Sequence, residues 1–149
     1  MYKIINFIII FIIFQINAYS KDSSSYLMLK NSKVNVRYGP SFESPIKFFY
    51  KKKYLPVKII DEKGNWKKII DFKKNGGWIH RTQLKKSKSF IVEEDKILFE
   101  RPSIFSKPLV KIEKGKMLIF KKCKESWCNI VLKDFNGWLQ TDNIWGEIK

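Results

Sequence analysis

The sequence predicts an all-β chain made of two small tandem β-barrels that follow an N-terminal signal segment. Two observations support this prediction. The chain repeats itself at a spacing of about 60 residues, which is typical of tandem small domains. Short β-prone runs also alternate with turn residues along the chain, and no helical periodicity is sustained beyond Ser20.

The repeat is clearest around the tryptophans. Trp66 opens an apolar run that is followed by Gly-Trp-Ile at 77–79, and Trp127 opens a run that is followed by Gly-Trp-Leu at 137–139. We predict a signal peptide over residues 1–20, a first domain over 21–86 and a second domain over 87–149. A polar link at residues 85–89 is expected to join the two domains.

The N-terminal segment, from Met1 to Ser20, has the layout of a secretory signal peptide. Lys3 precedes an apolar run over residues 4–16, and small residues at Ala18 and Ser20 provide a cleavage site. The run is shorter than the roughly 20 apolar residues that a membrane-spanning helix needs. An uncleaved inner-membrane anchor is the alternative. Either way, we expect the rest of the chain outside the cytoplasm, in the periplasm or secreted.

Alternation within the strands predicts which side chains face each core. Ile69 is expected inside, with Trp66 on the opposite face and partly exposed. Trp78 and Trp138 each follow a glycine, and we expect both rings to be mostly buried. The further core candidates are Leu55, Val57 and Ile59 in the first domain and Met117 and Ile119 in the second.

Cys123 and Cys128 are the only cysteines. In an exported protein such a pair predicts a disulfide, here across the turn between two adjacent strands. Because the closed loop is so short, the chain-entropy argument gives a stabilisation of only about 2 kcal/mol. The spacing excludes a CxxC redox motif, and a zinc site would need more Cys and His than the chain has.

The formal net charge is +16, and proteins this basic attract polyanions. Of the 30 basic residues only Arg37, Arg81 and Arg101 are arginines, the residues that grip phosphate through two parallel hydrogen bonds. The chain is also rich in Ile, Asn and Phe, as an AT-rich genome would produce. Compositional bias is therefore the first interpretation of the charge, and selected anion binding is the second.

One stretch of the first domain resembles a known family. Residues 34–41 read Val-Asn-Val-Arg-Tyr-Gly-Pro-Ser, and they are followed by Trp66 and by Gly-Trp-Ile-His at 77–80. This order resembles the VNVRxGPS, W and GWV signature of the bacterial SH3-like (SH3b) domain. Residues 137–139 and 143–146 extend the likeness to the tandem SH3-like exported proteins of alphaproteobacteria.

The resemblance implies small barrels of five to seven strands that bind cell-wall peptides or other partners outside the cytoplasm, often beside a catalytic domain. The second domain departs from the signature, because residues 99–102 read Phe-Glu-Arg-Pro where the Arg-x-Gly-Pro loop should be. A ligand role for the second domain is therefore in doubt. The fold also occurs in pure scaffolds, so it does not settle the function.

We find no catalytic constellation and expect no enzyme, no cofactor and no metal site. His80 is the only histidine, and a structural hydrogen bond is the preferred interpretation of it. Aromatic side chains crowd into the loops of the first domain, and aromatic grooves hold extended peptides in barrels of this type. The predicted ligand-binding residues are Tyr38, Phe42, Tyr54 and Trp66, with plain core packing as the alternative.

The expected partner is a peptidoglycan peptide or a cell-envelope protein. A peripheral contact of the lysines with anionic lipid or lipopolysaccharide is a second possibility. We do not expect nucleic acid, because of the predicted export and the scarcity of arginine. A purely structural role is a further alternative.

Overall fold

The structure is a computed structural model, and it describes residues 25–148. The predicted signal peptide lies outside the described residues. Within them, no helix is long and apolar enough to cross a membrane.

Lobe 1, residues 26–86, is a single antiparallel sheet of seven strands with one short 3-10 helix, Arg81–Gln83. Its strands are β1 (Tyr26–Leu29), β2 (Val34–Arg37), β3 (Ile46–Tyr50), β4 (Pro56–Lys63), β5 (Trp66–Ile70), β6 (Gly76–His80) and β7 (Leu84–Lys86). Lobe 2, residues 89–146, contains β8 (Ser89–Val92), β9 (Lys96–Phe99), β10 (Pro108–Ile112), β11 (Met117–Lys124), β12 (Trp127–Leu132), β13 (Phe135–Gln140) and β14 (Ile144–Gly146).

The two lobes have the same topology. The strand order is β3-β2-β6-β5-β4-β1-β7 in lobe 1 and β10-β9-β13-β12-β11-β8-β14 in lobe 2. Adding seven to each strand number of lobe 1 gives the order of lobe 2. The predicted all-β class and the tandem architecture are therefore confirmed. The short closing strands β7 and β14 were not predicted, because so short a segment carries too little pattern to separate a strand from a loop.

The core of lobe 1 is aliphatic, and most of its predicted members are confirmed. Buried there are Leu55, Val57, Ile59 and Ile69. On β3, Phe48 and Tyr50 pack against this core, with their ring centroids 5.1 Å apart, while Phe49 faces solvent. The interior is thus built mainly from branched aliphatic side chains, and the tryptophan in this cluster, Trp145, comes from lobe 2.

The core prediction for lobe 2 was wrong by one position. Met117 is half-buried and Ile119 is 44% exposed, while Leu118 and Phe120 are buried. The segment between β10 and β11 is shorter by a single residue than the segment between β3 and β4, and Gly115 takes the place of Tyr54, both with a positive φ. A one-residue shift moves every side chain of a strand to the other face.

Three tryptophan predictions also need correction. Trp66, expected to be partly exposed, is only 8% exposed, because neighbouring rings cover its outer face. Trp78 and Trp138, expected to be mostly buried, are half-buried. The side chains that follow them, Ile79 and Leu139, point into the cores, so alternation turns the two tryptophans outward.

The turn between β5 and β6 is held by one buried carboxylate. Asp71 Oδ1 accepts the backbone N–H groups of Lys73 and Asn75 at 2.9 and 2.8 Å, and its Oδ2 accepts the Tyr50 hydroxyl at 3.1 Å. Burial of the phenol, reinforced by the charge of Asp71, raises the pKa of Tyr50 well above its usual value. The tyrosine therefore donates this hydrogen bond at any physiological pH.

The predicted polar link at residues 85–89 is largely part of the strands. β7 ends at Lys86 and β8 begins at Ser89, and Ser87 and Ser89 are buried. Ser89 Oγ donates to the Tyr54 carbonyl at 2.6 Å, which joins the two lobes. The two serines of the link are buried because the lobes pack directly on each other, while Lys86 and Lys88 are exposed.

Lobe 2 supplies part of the core of lobe 1. Trp145 on β14 and Ile91 on β8 belong to the buried cluster of lobe 1. The Trp145 ring lies edge-on to Tyr26, with centroids 5.3 Å apart, and Lys74 Nζ lies 4.6 Å from its centroid. The two lobes therefore form one packed unit.

Candidate binding site

The candidate site lies on the outer face of three neighbouring strands of lobe 1, β2, β6 and β5. Arg37 on β2 pairs with Trp78 on β6, and Trp78 pairs with Lys68 on β5. Further along β6 and β5, His80 pairs with Trp66. Directly paired residues share a face of the sheet and lie about 5 Å apart, so these side chains form two adjacent rows.

The second row carries a cluster of three rings, Phe42, Trp66 and His80, here called the ring cluster. The Phe42 ring lies 4.9 Å from Trp66 and 5.1 Å from His80, and Trp66 lies 5.1 Å from His80. Trp66 is covered by the other two rings, whereas Phe42 is 64% exposed. The cluster therefore has a fixed base and one face open to solvent.

The loop after β2 holds Phe42 in place. Ser41 Oγ accepts the Ser44 N–H at 3.1 Å, and the Ser44 carbonyl accepts Arg37 Nη1 at 2.7 Å. A Cβ at Gly39 would lie 2.7 Å from Ser44 Oγ, so glycine allows the loop to close. The Arg-Tyr-Gly-Pro-Ser motif thus fixes a guanidinium beside the ring cluster, with its carbon 6.0 Å from the Phe42 ring centroid.

The ring cluster borders a cavity of about 310 Å³. Its polar lining residues are Lys33, Asn35, Arg37 and Gln83, together with His80, and no carboxylate lines it. His80 Nδ1 lies 2.9 Å from Thr82 Oγ1, which orients the imidazole. An apolar ring surface beside a fixed cation and two amides suits an extended peptide that carries a carboxylate.

The structure brings together only some of the predicted ligand-binding residues. Phe42 and Trp66 are in contact, as described. Tyr38 lines an adjoining cavity on the far side of Arg37. Tyr54 lies elsewhere, at the turn before β4, with its ring 4.5 Å from Lys85 Nζ.

Arg37 and His80 line the site although sequence reasoning did not place them there. His80 was interpreted as a structural hydrogen-bonding residue, and it does contact Thr82, but its ring also completes the cluster. The signal that could have found it is alternation. In Gly-Trp-Ile-His, Ile79 points inward, so His80 shares the outer face with Trp78.

Lobe 2 has a different surface at the matching position. The row of Arg37, Trp78 and Lys68 is replaced there by Phe99, Trp138 and Asn129. The cavity there, of about 240 Å³, includes Glu94, Asp95, Lys96 and Asp142 among its lining residues. The matching surfaces of the two lobes thus carry opposite charge.

The acidic cavity of lobe 2 is internally paired. Lys96 Nζ lies 2.9 Å from Glu94 Oε1 and 3.1 Å from Asp142 Oδ1. The hydrogen bond from Lys96 holds the pKa of Asp142 below its usual value, and Lys111 does the same for the pKa of Asp95. These carboxylates are already occupied by lysines of the same lobe.

No three His, Cys, Asp or Glu side chains of residues 25–148 are grouped so that they could hold a metal ion. Cys123 and Cys128 pair directly across β11 and β12 and form the predicted disulfide.

The chain belongs to the bacterial SH3 domain family, whose model matches it twice, over residues 30–86 and 93–146. The two matches fall on the two lobes, and they confirm the family that the sequence resembled. No curated protein matches the chain.

Three solved structures are similar to the chain over most of its length. Two are NlpC2 and NlpC1 from Trichomonas vaginalis, each 10% identical, with 86% and 87% of this chain covered and 50% and 48% of theirs. The third is an NlpC/P60 family protein from Bacillus cereus ATCC 10987, 15% identical, with 80% of this chain covered and 55% of that one. The TM-score is 0.38 for each of the three. The chain therefore spans about half the length of these structures.

Proposed function

We propose that the protein is a non-catalytic, exported binding module that recognises a peptide of the cell wall or of an envelope protein through the ring cluster of lobe 1. The observation that supports this most is the cluster itself. Phe42 presents an open ring face beside the fixed guanidinium of Arg37, in a cavity that no carboxylate lines. The family and the signal-like N-terminal segment support a role outside the cytoplasm.

The chemistry of the cavity favours a peptide with a free carboxylate. Arg37 Nη1 is engaged by the Ser44 carbonyl, which carries no full negative charge, so the guanidinium keeps its attraction for an anion. Asn35 offers its amide group to a peptide backbone, and Gln83 offers its amide N–H groups, since Asn31 Nδ2 already donates to Gln83 Oε1 at 2.8 Å. The exposed Phe42 ring supplies apolar area that a ligand would cover.

Diffuse attraction to anionic lipid, lipopolysaccharide or nucleic acid is the second candidate function, and the net charge of +16 favours it. The two candidates differ in their response to salt. Attraction between exposed charges is strongly screened at about 0.5 M salt, whereas contacts with a desolvated ring are not.

The test is retention of the chain on purified sacculi at low salt and at about 0.5 M salt. Two matched variants decide the role of the cluster: Phe42→Ala removes its exposed ring, and Phe49→Ala removes a ring of β3 that is 45% exposed and lies outside the cavity. We expect retention of the wild type at both salt concentrations. Phe42→Ala is expected to lose affinity about tenfold or more, while Phe49→Ala keeps it.

Three results would count against the proposal. Loss of wild-type retention at high salt would indicate charge attraction alone. Equal behaviour of the two variants would remove the ring cluster from the interaction. Absence of retention under both conditions would remove the cell-wall ligand, and displacement by an oligonucleotide would favour nucleic acid instead.

A further inference from the structure

A second cavity, of about 280 Å³, adjoins the ring cluster on the same outer face of lobe 1. Arg37 lies between the two cavities and lines both. The floor of the second cavity is the backbone of Gly76 and Gly77, where no side chain covers the sheet. We call this second cavity the basic cavity. Its polar and aromatic lining residues are Arg37, Tyr38, Lys47, Lys68, Lys74 and Trp78.

The basic cavity holds four cationic side chains and no carboxylate among its lining residues. Lys47 Nζ donates to the Gly76 carbonyl at 3.0 Å, and Arg37 donates to a carbonyl as well. In the described part of the chain, none of the four cations forms an ion pair with a carboxylate. Asp61 pairs with Lys68 on the sheet, but it does not line the cavity and its Oδ1 accepts the Glu62 N–H.

Three of the four cationic residues neighbour two rings of the cavity. Trp78 stands between Arg37 and Lys68 in the cross-strand row. Lys47 Nζ lies 5.7 Å from the centroid of Tyr38, which is 66% exposed. The fourth, Lys74, has its Nζ 4.6 Å from the ring centroid of Trp145, which does not line the cavity. Several donors converging on a partly apolar pocket suit a small anion with many acceptor oxygens, and a phosphate ester is such a group.

Lobe 2 provides an internal comparison. If the four cations reflected genome composition alone, cations would be expected at the same positions of lobe 2. Lobe 2 does have a lysine beside the matching tryptophan, but it is Lys122, which pairs with Asn129. There, Asn129 Nδ2 donates to the Gly137 carbonyl at 3.1 Å. A neutral side chain thus stands at the position that Lys68 has in lobe 1. At the positions of Arg37, Tyr38, Lys47 and Lys68, the second lobe has Phe99, Glu100, Leu109 and Asn129.

We propose that the basic cavity is a phosphate-binding site that takes a phosphate ester carried on a sugar or on a lipid head group. Arg37 and Lys68 contact the phosphate oxygens from the two sides of Trp78, and Lys47 and Lys74 add positive charge at the rim. This site is separate from the peptide site of the ring cluster, although Arg37 serves both.

The test is calorimetric titration of the whole chain, at about 0.15 M salt, with inorganic phosphate, glucose 6-phosphate and glucose. Lys68→Asn introduces the residue that lobe 2 has at this position. Lys122→Asn is the matched control, because Lys122 also lies beside a tryptophan, with Nζ 5.8 Å from the Trp138 ring centroid, but in lobe 2. We expect saturable binding of glucose 6-phosphate and none of glucose. Lys68→Asn is expected to weaken binding about tenfold, and Lys122→Asn less than twofold.

Vesicles of phosphatidylglycerol and of phosphatidylcholine distinguish the two sources of phosphate. Binding to phosphatidylglycerol vesicles that Lys68→Asn weakens and Lys122→Asn does not would support the site with a lipid head group as its ligand. Equal losses in both variants, or no saturable binding of either phosphate source, would overturn the proposal. Preferential binding of a single-stranded oligonucleotide would overturn it as well.

Failure of this proposal and failure of the peptide site are distinguishable. Lys68 lies in the row beside the ring cluster but does not line its cavity, so Lys68→Asn is expected to weaken phosphate binding much more than retention on sacculi. Phe42 does not line the basic cavity, so Phe42→Ala is expected to leave phosphate binding unchanged. Circular dichroism of each variant checks that the sheet is intact.

Discussion

Lobes 1 and 2 share one topology and differ on one face. In lobe 1 the outer face of β2, β6 and β5 carries a row of Arg37, Trp78 and Lys68 beside an open ring cluster. In lobe 2 the matching row is Phe99, Trp138 and Asn129. The tryptophan is kept, its two cationic cross-strand neighbours are replaced by neutral residues, and Lys122 lies beside its ring instead. The comparison separates the features that both barrels share from the exposed cationic and aromatic side chains of lobe 1 that the proposed ligands would contact.

A second difference lies at the junction of the lobes. Trp145 enters the core of lobe 1, whereas the matching residue of β7, Lys85, lies on the surface beside Tyr54. Lobe 2 therefore completes lobe 1, and lobe 1 does not complete lobe 2 in the same way. In this arrangement lobe 2 is the structural partner of the lobe that carries the proposed binding site.

The largest effect is expected from Trp145→Ala. The change removes a buried aromatic side chain from the junction, and such losses cost about 3–5 kcal/mol in the free energy of unfolding. Trp145→Phe is the control, because it keeps a ring and removes a buried Nε1 that has no hydrogen-bond partner within the described residues. Urea unfolding followed by circular dichroism measures both. Equal, small losses in the two variants would show that the lobes are stable independently.

A smaller loss of stability is expected at one pair of facing cross-strand residues, which the two lobes link in different ways. Lobe 2 has the disulfide of Cys123 and Cys128, where lobe 1 has an ion pair with Lys67 Nζ 2.6 Å from Glu62 Oε2. Reduction of the disulfide is expected to cost about 2 kcal/mol. Glu62→Gln is expected to cost less than about 1 kcal/mol, since the pair is partly exposed.

Urea midpoints of the oxidised, reduced and Glu62→Gln proteins measure this difference. A thiol reagent should label neither Cys123 nor Cys128 in the native protein. Labelling without reductant, or a larger loss for Glu62→Gln than for reduction, would contradict the ranking.

The smallest expected effect is a loss of folding stability at acid pH that arises in lobe 2. Because Lys96 lowers the pKa of Asp142 in the folded protein, the carboxylate contributes stability above its unfolded pKa of about 4. That contribution is lost as the pH falls through the lower pKa of the folded state. Asp142→Asn should therefore flatten the fall in the urea midpoint as the pH drops below about 4. An unchanged fall in the urea midpoint at acid pH would show that the ion pair of Asp142 with Lys96 contributes nothing to stability.

The fold could be predicted from the sequence because its signals are periodic and local. The spacing of Trp66 and Trp127 and the glycine before each following tryptophan defined the two lobes, and alternation placed Ile69 inside. The error in the core of lobe 2 arose where one missing residue changes the alternation of the strand. The segment before β11 is one residue shorter than its counterpart in lobe 1, so Phe120 and not Ile119 faces the core. Only the cross-strand register shows this difference.

The candidate site could be predicted only in part. Phe42 and Trp66 were found through their residue type and their position near the loop. The sequence could not show that Phe42 folds back over Trp66, because that contact joins the loop after β2 to β5, which is not adjacent to β2 in the sheet. Tyr54 was included for its ring alone, and it lies at a different turn. Arg37 was visible in the motif, but its place between two cavities is a tertiary property.

The most direct test of the account is to map the changes in chemical shift of the backbone amide and indole N–H groups when ¹⁵N-labelled protein is titrated with soluble peptidoglycan fragments. We expect perturbed signals on β2, β5 and β6 of lobe 1, including the Trp66 indole, and none on β9, β12 and β13 of lobe 2. Shifts of equal size on the matching strands of both lobes, or shifts confined to lobe 2, would contradict the claim that the binding face belongs to lobe 1.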